Sequence, residues 1–213
     1  MMAASYERDP GAIYRQSFAT IRAEADLTRF DAATCDIVIR LIHACGMTDL
    51  AGDVAVFGGF AERGRAALSA GAPVLCDVEM VRRGIIRRLL SANNELVCLI
   101  GEPEVADFAK AQNTTRSAAQ VDLWGERMAD AVVVIGNAPT ALFRLLERID
   151  EGAPKPAAII GAPVGFVGAE ESKAELISNS RGVPYLAIRG RRGGSAIAAA
   201  ALNGLAAGLE NHG

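Results

Sequence analysis

Two histidines occur in the 213 residues, His43 and His212. His43 stands in the stretch RLIHACGM at 40–47, near the end of a helix that the spacing predicts over 32–45. Asp31 is suited to cap the start of that helix, and Gly46 to take the left-handed position past its end. Cys35, Ile39, Ile42 and Gly46 form its apolar face; His43 lies on the flank with Asp36, Arg40 and Met47. An imidazole at a helix C-terminus meets negative partial charge, which is expected to raise its pKa from about 6.5. Arg40 pushes the other way. A donor titrating near neutrality suits general-acid catalysis, worth about 10²–10⁴-fold. The spacing alone also fits a helix-capping histidine with no further role. His43 and Cys45 are two apart and face different sides of a helix, so no metal site is expected. His212, beside the C-terminal Gly213, reads as part of a frayed tail. There is no G-x-S-x-G elbow and no triad order. One histidine with no cofactor motif leaves isomerisation or proton transfer as the natural reaction class.

A second group of residues suits anion binding. Gly-rich stretches follow several short apolar runs: GNAPT at 136–140, GAPVGFVG at 161–168 and RGRRGGS at 189–195. Each leads into an expected helix, where glycine lets backbone N–H groups approach a ligand and the helix dipole favours negative charge. Short strand-to-helix loops also simply need glycine. None matches G-x-x-x-x-G-K-[ST] or G-x-G-x-x-G with its later acidic residue, so a nucleotide is disfavoured. Several separate anion sites better suit a ligand with several carboxylates. Arg189, Arg191 and Arg192 sit within such a loop, and at least one is expected to bind a carboxylate. Arg116 opens an expected helix, where a cation opposes the dipole, so a ligand contact is worth considering. Arg82, Arg83, Arg87 and Arg88 read as a surface or subunit-contact segment.

These residues need a scaffold. Helical periodicity is expected over 10–29, 32–45, 61–70, 103–112, 115–129, 139–149, 170–179 and 195–208. Strand-length apolar runs lie at 54–57, 74–76, 96–100, 131–135, 157–160 and 185–188, and those from Val74 onward lack polar alternation, as strands buried on both faces do. The alternation predicts an α/β protein: a single three-layer αβα domain over 1–213 with a mainly parallel sheet. Its ligands belong beyond the carboxyl ends of the strands, where Asp77 also falls. Hydrophobic residues make up 51% and charged residues 22%, which excludes disorder. The net charge of −3 argues against a general nucleic-acid coat. Cys35, Cys45, Cys76 and Cys98 form no C-x-x-C pair and read as reduced core residues. No run reaches the roughly 18 apolar residues of a membrane span, and no apolar signal core opens the chain, so a cytoplasmic location is expected.

Taken in order, the motifs are those of a known family. YRQSF at 14–18, SFATIRAE at 17–24, IHACG at 42–46, GAPVLCD at 71–77, MV at 80–81, NTTRSAA at 113–119, IGNAPTAL at 135–142, PVGFVGAEESK at 163–173 and RGRRGGS at 189–195 resemble the precorrin-8X methylmutases of cobalamin (vitamin B12) biosynthesis. They span nearly the whole chain. The resemblance implies an αβα homodimer with its active site near the subunit interface. It implies an isomerase that converts precorrin-8X to hydrogenobyrinate by moving a methyl group from C-11 to C-12 of the macrocycle, without a cofactor. It places the family's histidine at His43, as proton donor to a ring nitrogen. Ser17, Asp77 and Arg116 would line the macrocycle, while the Gly-rich loops with Asn137, Gly165, Ser195 and Arg189 or Arg191 would hold peripheral carboxylates. One departure is Ile86, where relatives often carry a hydroxyl; the hydrogen bond so removed is worth about 0.5–1.5 kcal/mol. The alternatives are a non-catalytic corrinoid carrier and a phosphate-ligand α/β enzyme, which the missing phosphate fingerprints disfavour.

Overall fold

The computed structural model describes residues 6–207; His212 lies outside them. The chain runs α1 (Pro10–Glu24), α2 (Ala32–Cys45), α3 (Leu50–Asp53), β1 (Val54–Phe57), α4 (Phe60–Ser69), β2 (Val74–Cys76), α5 (Glu79–Gly84), β3 (Leu96–Val97), α6 (Pro103–Ala111), α7 (Arg116–Trp124), β4 (Val132–Ile135), α8 (Pro139–Asp150), β5 (Ala158–Gly161), α9 (Ala169–Ser178), β6 (Tyr185–Ile188) and α10 (Ser195–Ala207). Short 3₁₀ turns cover Arg87–Leu89 and Gly125–Met128.

Six strands form one sheet in the order β1-β6-β5-β4-β2-β3. All neighbours are parallel except β1, which runs antiparallel to β6 with Val54 opposite Ile188. Alternate side chains of each strand enter opposite layers, as the pleat requires. Val132 and Val134 of β4 pack with α1, α2, α4 and α10; Val133 and Ile135 pack with α7, α8 and α9. The missing polar alternation in these strands follows from this double burial. Small residues let α10 approach α2 closely: a Cβ on Gly204 would lie 3.0 Å from the Ile37 Cα.

Local chemistry sets the helix ends. Asp9 caps α1 by accepting N–H bonds from Gly11 and Ala12. The periodicity of α1 continues to residue 29, yet the helix stops at Glu24. Ala25 is extended, and Asp26 draws both the backbone N–H and the hydroxyl of Thr28 to its carboxylate; this local turn competes with helix. Asp31 caps α2 through the Thr34 N–H, and Gly46 closes it at φ 71°. Arg29 donates to the Ala51, Gly52 and Val54 carbonyls, tying the link between α1 and α2 to the start of β1. The strand expected over 96–100 is confined to Leu96–Val97. The helix expected to reach residue 129 breaks at Gly125, at φ 53°. All four cysteines are free; Cys76 is buried, but Cys35, Cys45 and Cys98 are only half-buried. No helix among the described residues is long and apolar enough to cross a membrane.

Candidate active site

From β2 the chain moves outward to β3, and from β4 it moves the other way to β5 and β6. The gap between the carboxyl ends of β2 and β4 is therefore the topological switch point, where open α/β sheets receive ligands. Here a side chain of the protein itself occupies it. Asp77 follows β2 and is fully buried. Its Oδ1 accepts the Gly136 N–H at 2.9 Å, and its Oδ2 accepts those of Asn137 and Ala138, both at 2.8 Å. Removal from water raises the Asp77 pKa above the ordinary value, and the three N–H donors oppose this without cancelling it. The expectation that Asp77 lines a ligand thus meets a different arrangement. Its carboxylate shapes the loop that starts α8, and Asn137 is the exposed residue of that loop.

His43 occupies the last turn of α2, facing α1. Its Nδ1 lies 2.8 Å from the Ser17 Oγ. The Tyr14 ring is 5.3 Å away and tilted, and the Phe18 ring 5.4 Å away and edge-on. These three α1 residues fall at i, i+3 and i+4, the spacing that shares one helix face. Beside them opens a cavity of about 420 Å³ lined by Ile13, Gln16, Ser17, Ile21, Ile42 and His43, among others. The His43 pKa lies below its ordinary value, first through burial and then through Arg40. The expected rise is not found: partial loss of water and a guanidinium one turn away both favour the neutral ring. Arg40 is itself buried, beside the small α10 residue Gly204, rather than on a solvated flank.

The cavity reaches Thr48, and the next residue, Asp49, takes the Arg192 guanidinium at 2.6 Å. Arg192 also pairs with Asp53 at 3.4 Å. Of the three arginines in that loop, this one is committed to the protein. Arg189 and Arg191 are exposed and make no ion pair among the described residues. The Arg191 guanidinium sits 5.5 Å from the centre of the Phe166 ring, and its carbonyl accepts the Gly165 N–H at 3.3 Å. Arg116 is the first residue of α7 and exposed; Thr115 caps that helix and bonds Thr140 at the start of α8. Ser195, at the start of α10, is buried against Gly136, so it is packed rather than presented. Among the described residues no group of three or more His, Cys, Asp or Glu could hold a metal ion.

The family model for precorrin-8X methylmutase matches residues 12–207. The chain belongs to the precorrin-8X methylmutase family. It is 55% identical over 201 residues to the precorrin-8X methylmutase of a Sinorhizobium species, covering 94% of this chain and 96% of that protein. It is 56% identical to that of Pseudomonas aeruginosa, covering 94% and 97%, and 35% identical to the cobalt-precorrin-8 methylmutase of Leptospira interrogans, covering 91% of each. The solved structure of a Thermus thermophilus precorrin-8X methylmutase superposes with a TM-score of 0.83 at 37% identity, covering 92% and 94%. As a member, the chain is an isomerase of the methylmutase class.

Within this methylmutase the sequence reading missed one residue of the edge. Lys173 lies on α9, fully buried, and donates to the Pro163 carbonyl at 2.9 Å and the Arg192 carbonyl at 2.6 Å. Its signal was legible: it shares the inward helix face with Ala169, Ser172 and Leu176, where a lysine needs buried partners. Ile86, at the departure from the family pattern, is exposed at its side chain, and its N–H donates to the Asn203 side chain at 2.9 Å.

Proposed function

We propose that this isomerase converts precorrin-8X to hydrogenobyrinate by moving a methyl group from C-11 to C-12, with His43 giving a proton to a ring nitrogen. The observation that carries the reading is the Ser17–His43 hydrogen bond at 2.8 Å beside an apolar cavity. It engages Nδ1 and leaves Nε2 to meet the macrocycle, and Tyr14 and Phe18 hold the ring in place. The proton on the substrate draws electron density from the migrating bond. Only the imidazolium is acidic enough for this, and the free protein lowers the His43 pKa. A polycarboxylate ligand restores it, because negative charge nearby favours the protonated form. The donor is thus charged when substrate arrives.

Arg189, Arg191, Arg116 and the exposed Asn137 loop are proposed to receive peripheral carboxylates, with Gly165 supplying close backbone approach. Asp77 and Ser195 shape those loops from beneath. The metal-free substrate is favoured over the cobalt form because identity is 55–56% to the two relatives named for precorrin-8X and 34–44% to six named for cobalt-precorrin-8.

We also propose that the methylmutase acts as a homodimer, with residues 1–213 as one domain in each copy. A cavity of about 420 Å³ is at the lower end of the roughly 300–1,000 Å³ that holds a drug-sized ligand, and a tetrapyrrole with its side chains is larger. Phe166 and Val167, 85% and 88% exposed, leave apolar surface for a second copy to cover.

The test is a visible-absorbance time course with precorrin-8X, using the native protein and His43→Ala. Conversion by the native protein and its loss in the variant is the expected result. Conversion that survives in His43→Ala removes His43 as the donor. A bound but unchanged spectrum with both proteins makes the chain a corrinoid carrier.

A further inference from the structure

The loops after β5 and β6 carry most of the proposed anion contacts, yet they belong to different crossovers of the fold. Three backbone or side-chain links join them. Gly165 donates to the Arg191 carbonyl at 3.3 Å, and Gly194 donates to the Ala162 carbonyl at 2.8 Å. The third link is the Lys173 ammonium, which bonds the Pro163 carbonyl in one loop and the Arg192 carbonyl in the other. The approach is close: a Cβ on Gly193 would lie 2.3 Å from the Ala162 oxygen. Lys173 has no carboxylate within salt-bridge distance among the described residues. The charged groups that face it are Glu170 on its own helix, Asp53 of α3, and Arg192, whose guanidinium is turned onto Asp49 and Asp53. A buried cation without a paired carboxylate is expensive to keep, so its retention calls for a role.

We propose that Lys173 is a positioning residue of the methylmutase: its ammonium locks the two loops together and places buried positive charge beneath the edge that receives the ligand's carboxylates. This rests on the corrinoid reading above. Two consequences follow from the geometry. Backbone carbonyls turned inward to the ammonium leave the exposed side chains of Arg189 and Arg191 on the outer side. The charge also acts through low-dielectric protein, where it is screened less than a surface lysine. Burial pulls the Lys173 pKa down to about 8. Above that pH the amine keeps two N–H donors but loses its charge, so both carbonyl bonds weaken and the attraction for anions falls.

The experiment uses the full chain, as native protein and as Lys173→Met, from about pH 7 to about pH 9.5. Backbone amide shifts of Gly165 and Gly194 are followed by NMR without ligand, and hydrogenobyrinate affinity is followed by absorbance titration. In the native protein both amides are expected to titrate with a common midpoint near 8, and the affinity to fall about tenfold through the same range. In Lys173→Met the affinity is expected to be low and flat with pH, and precorrin-8X turnover to show a raised KM with a smaller change in kcat. A merely structural lysine would lower stability without creating that alkaline limb. Native amides that do not titrate overturn the proposal whether or not a corrinoid binds, and so does a limb that persists in the variant. Should Lys173→Met not fold, the native profiles decide alone. Amides that titrate in a native protein with no affinity for hydrogenobyrinate overturn the corrinoid reading and leave the loop lock standing.

Discussion

Replacing Asp77 by asparagine tests how the switch point of the sheet is held. The carboxylate accepts three N–H groups, one on Oδ1 and two on Oδ2. An amide has a single acceptor oxygen. If that oxygen keeps Asn137 and Ala138, the amide NH2 is forced against the Gly136 N–H. Two charge-assisted bonds become neutral ones, a difference of about 1–1.5 kcal/mol each, and a buried donor left without an acceptor costs about 1–3 kcal/mol. Relief from burying a charge offsets part of this, leaving a net loss of about 3 kcal/mol. For a chain of this size that corresponds to a Tm lower by about 6–12 °C. Urea unfolding of native and Asp77→Asn protein measures it. The pH dependence gives a second reading. Because the folded-state pKa of Asp77 is raised, the folded protein binds the proton more tightly than the unfolded chain. Stability from this group therefore grows as pH falls through that pKa and is lost as pH rises through it. The neutral asparagine shows no such change, so the gap between the two proteins is expected to widen on acidification towards the ordinary value of 3.8. A loss under about 1 kcal/mol at neutral pH, or a gap that narrows in acid, would refute the reasoning.

Ser17→Ala removes the hydroxyl that holds the His43 Nδ1; kcat is expected to fall about tenfold, with stability changed by less than about 1 kcal/mol because the site is open to water, and a precorrin-8X time course beside urea unfolding checks both. Arg40→Met takes away a positive charge near His43, so the His43 resonance is expected to titrate at a higher pH than in the native protein, where it lies below 6.5; NMR decides, since His212 is the only other histidine. In the native enzyme kcat/KM is expected to fall as pH rises through that low free-enzyme pKa, while the fall in kcat comes at higher pH once carboxylates are bound. Gly193→Ala forces a Cβ to 2.3 Å from the Ala162 oxygen at φ 155°; it is expected to lose at least about 2 kcal/mol and most corrinoid affinity, and near-native values for both would show that the two loops separate freely.

Much of this protein is written in local pattern. The ends of α2 could be read because Asp31 and Gly46 act within one turn of themselves. Unbroken apolar runs marked β2 and β4 as strands covered on both faces. The motif order identified the family. Other features depend on residues far apart in the chain. The antiparallel placement of β1 beside β6, and the strand order that makes β2 and β4 neighbours, leave no trace in periodicity. Nor could sequence assign Asp77 to three N–H groups about sixty positions away, or separate Arg192, spent on Asp49, from Arg189 and Arg191. The direction of the His43 pKa was also decided by packing. The helix dipole is a local property and was legible, but the aromatic rings from α1 and the burial of Arg40 under α10 exist only once the helices meet. Lys173 makes the same point: helical spacing puts it on an inward face, and only the folded loops supply the carbonyls that let a charge remain there.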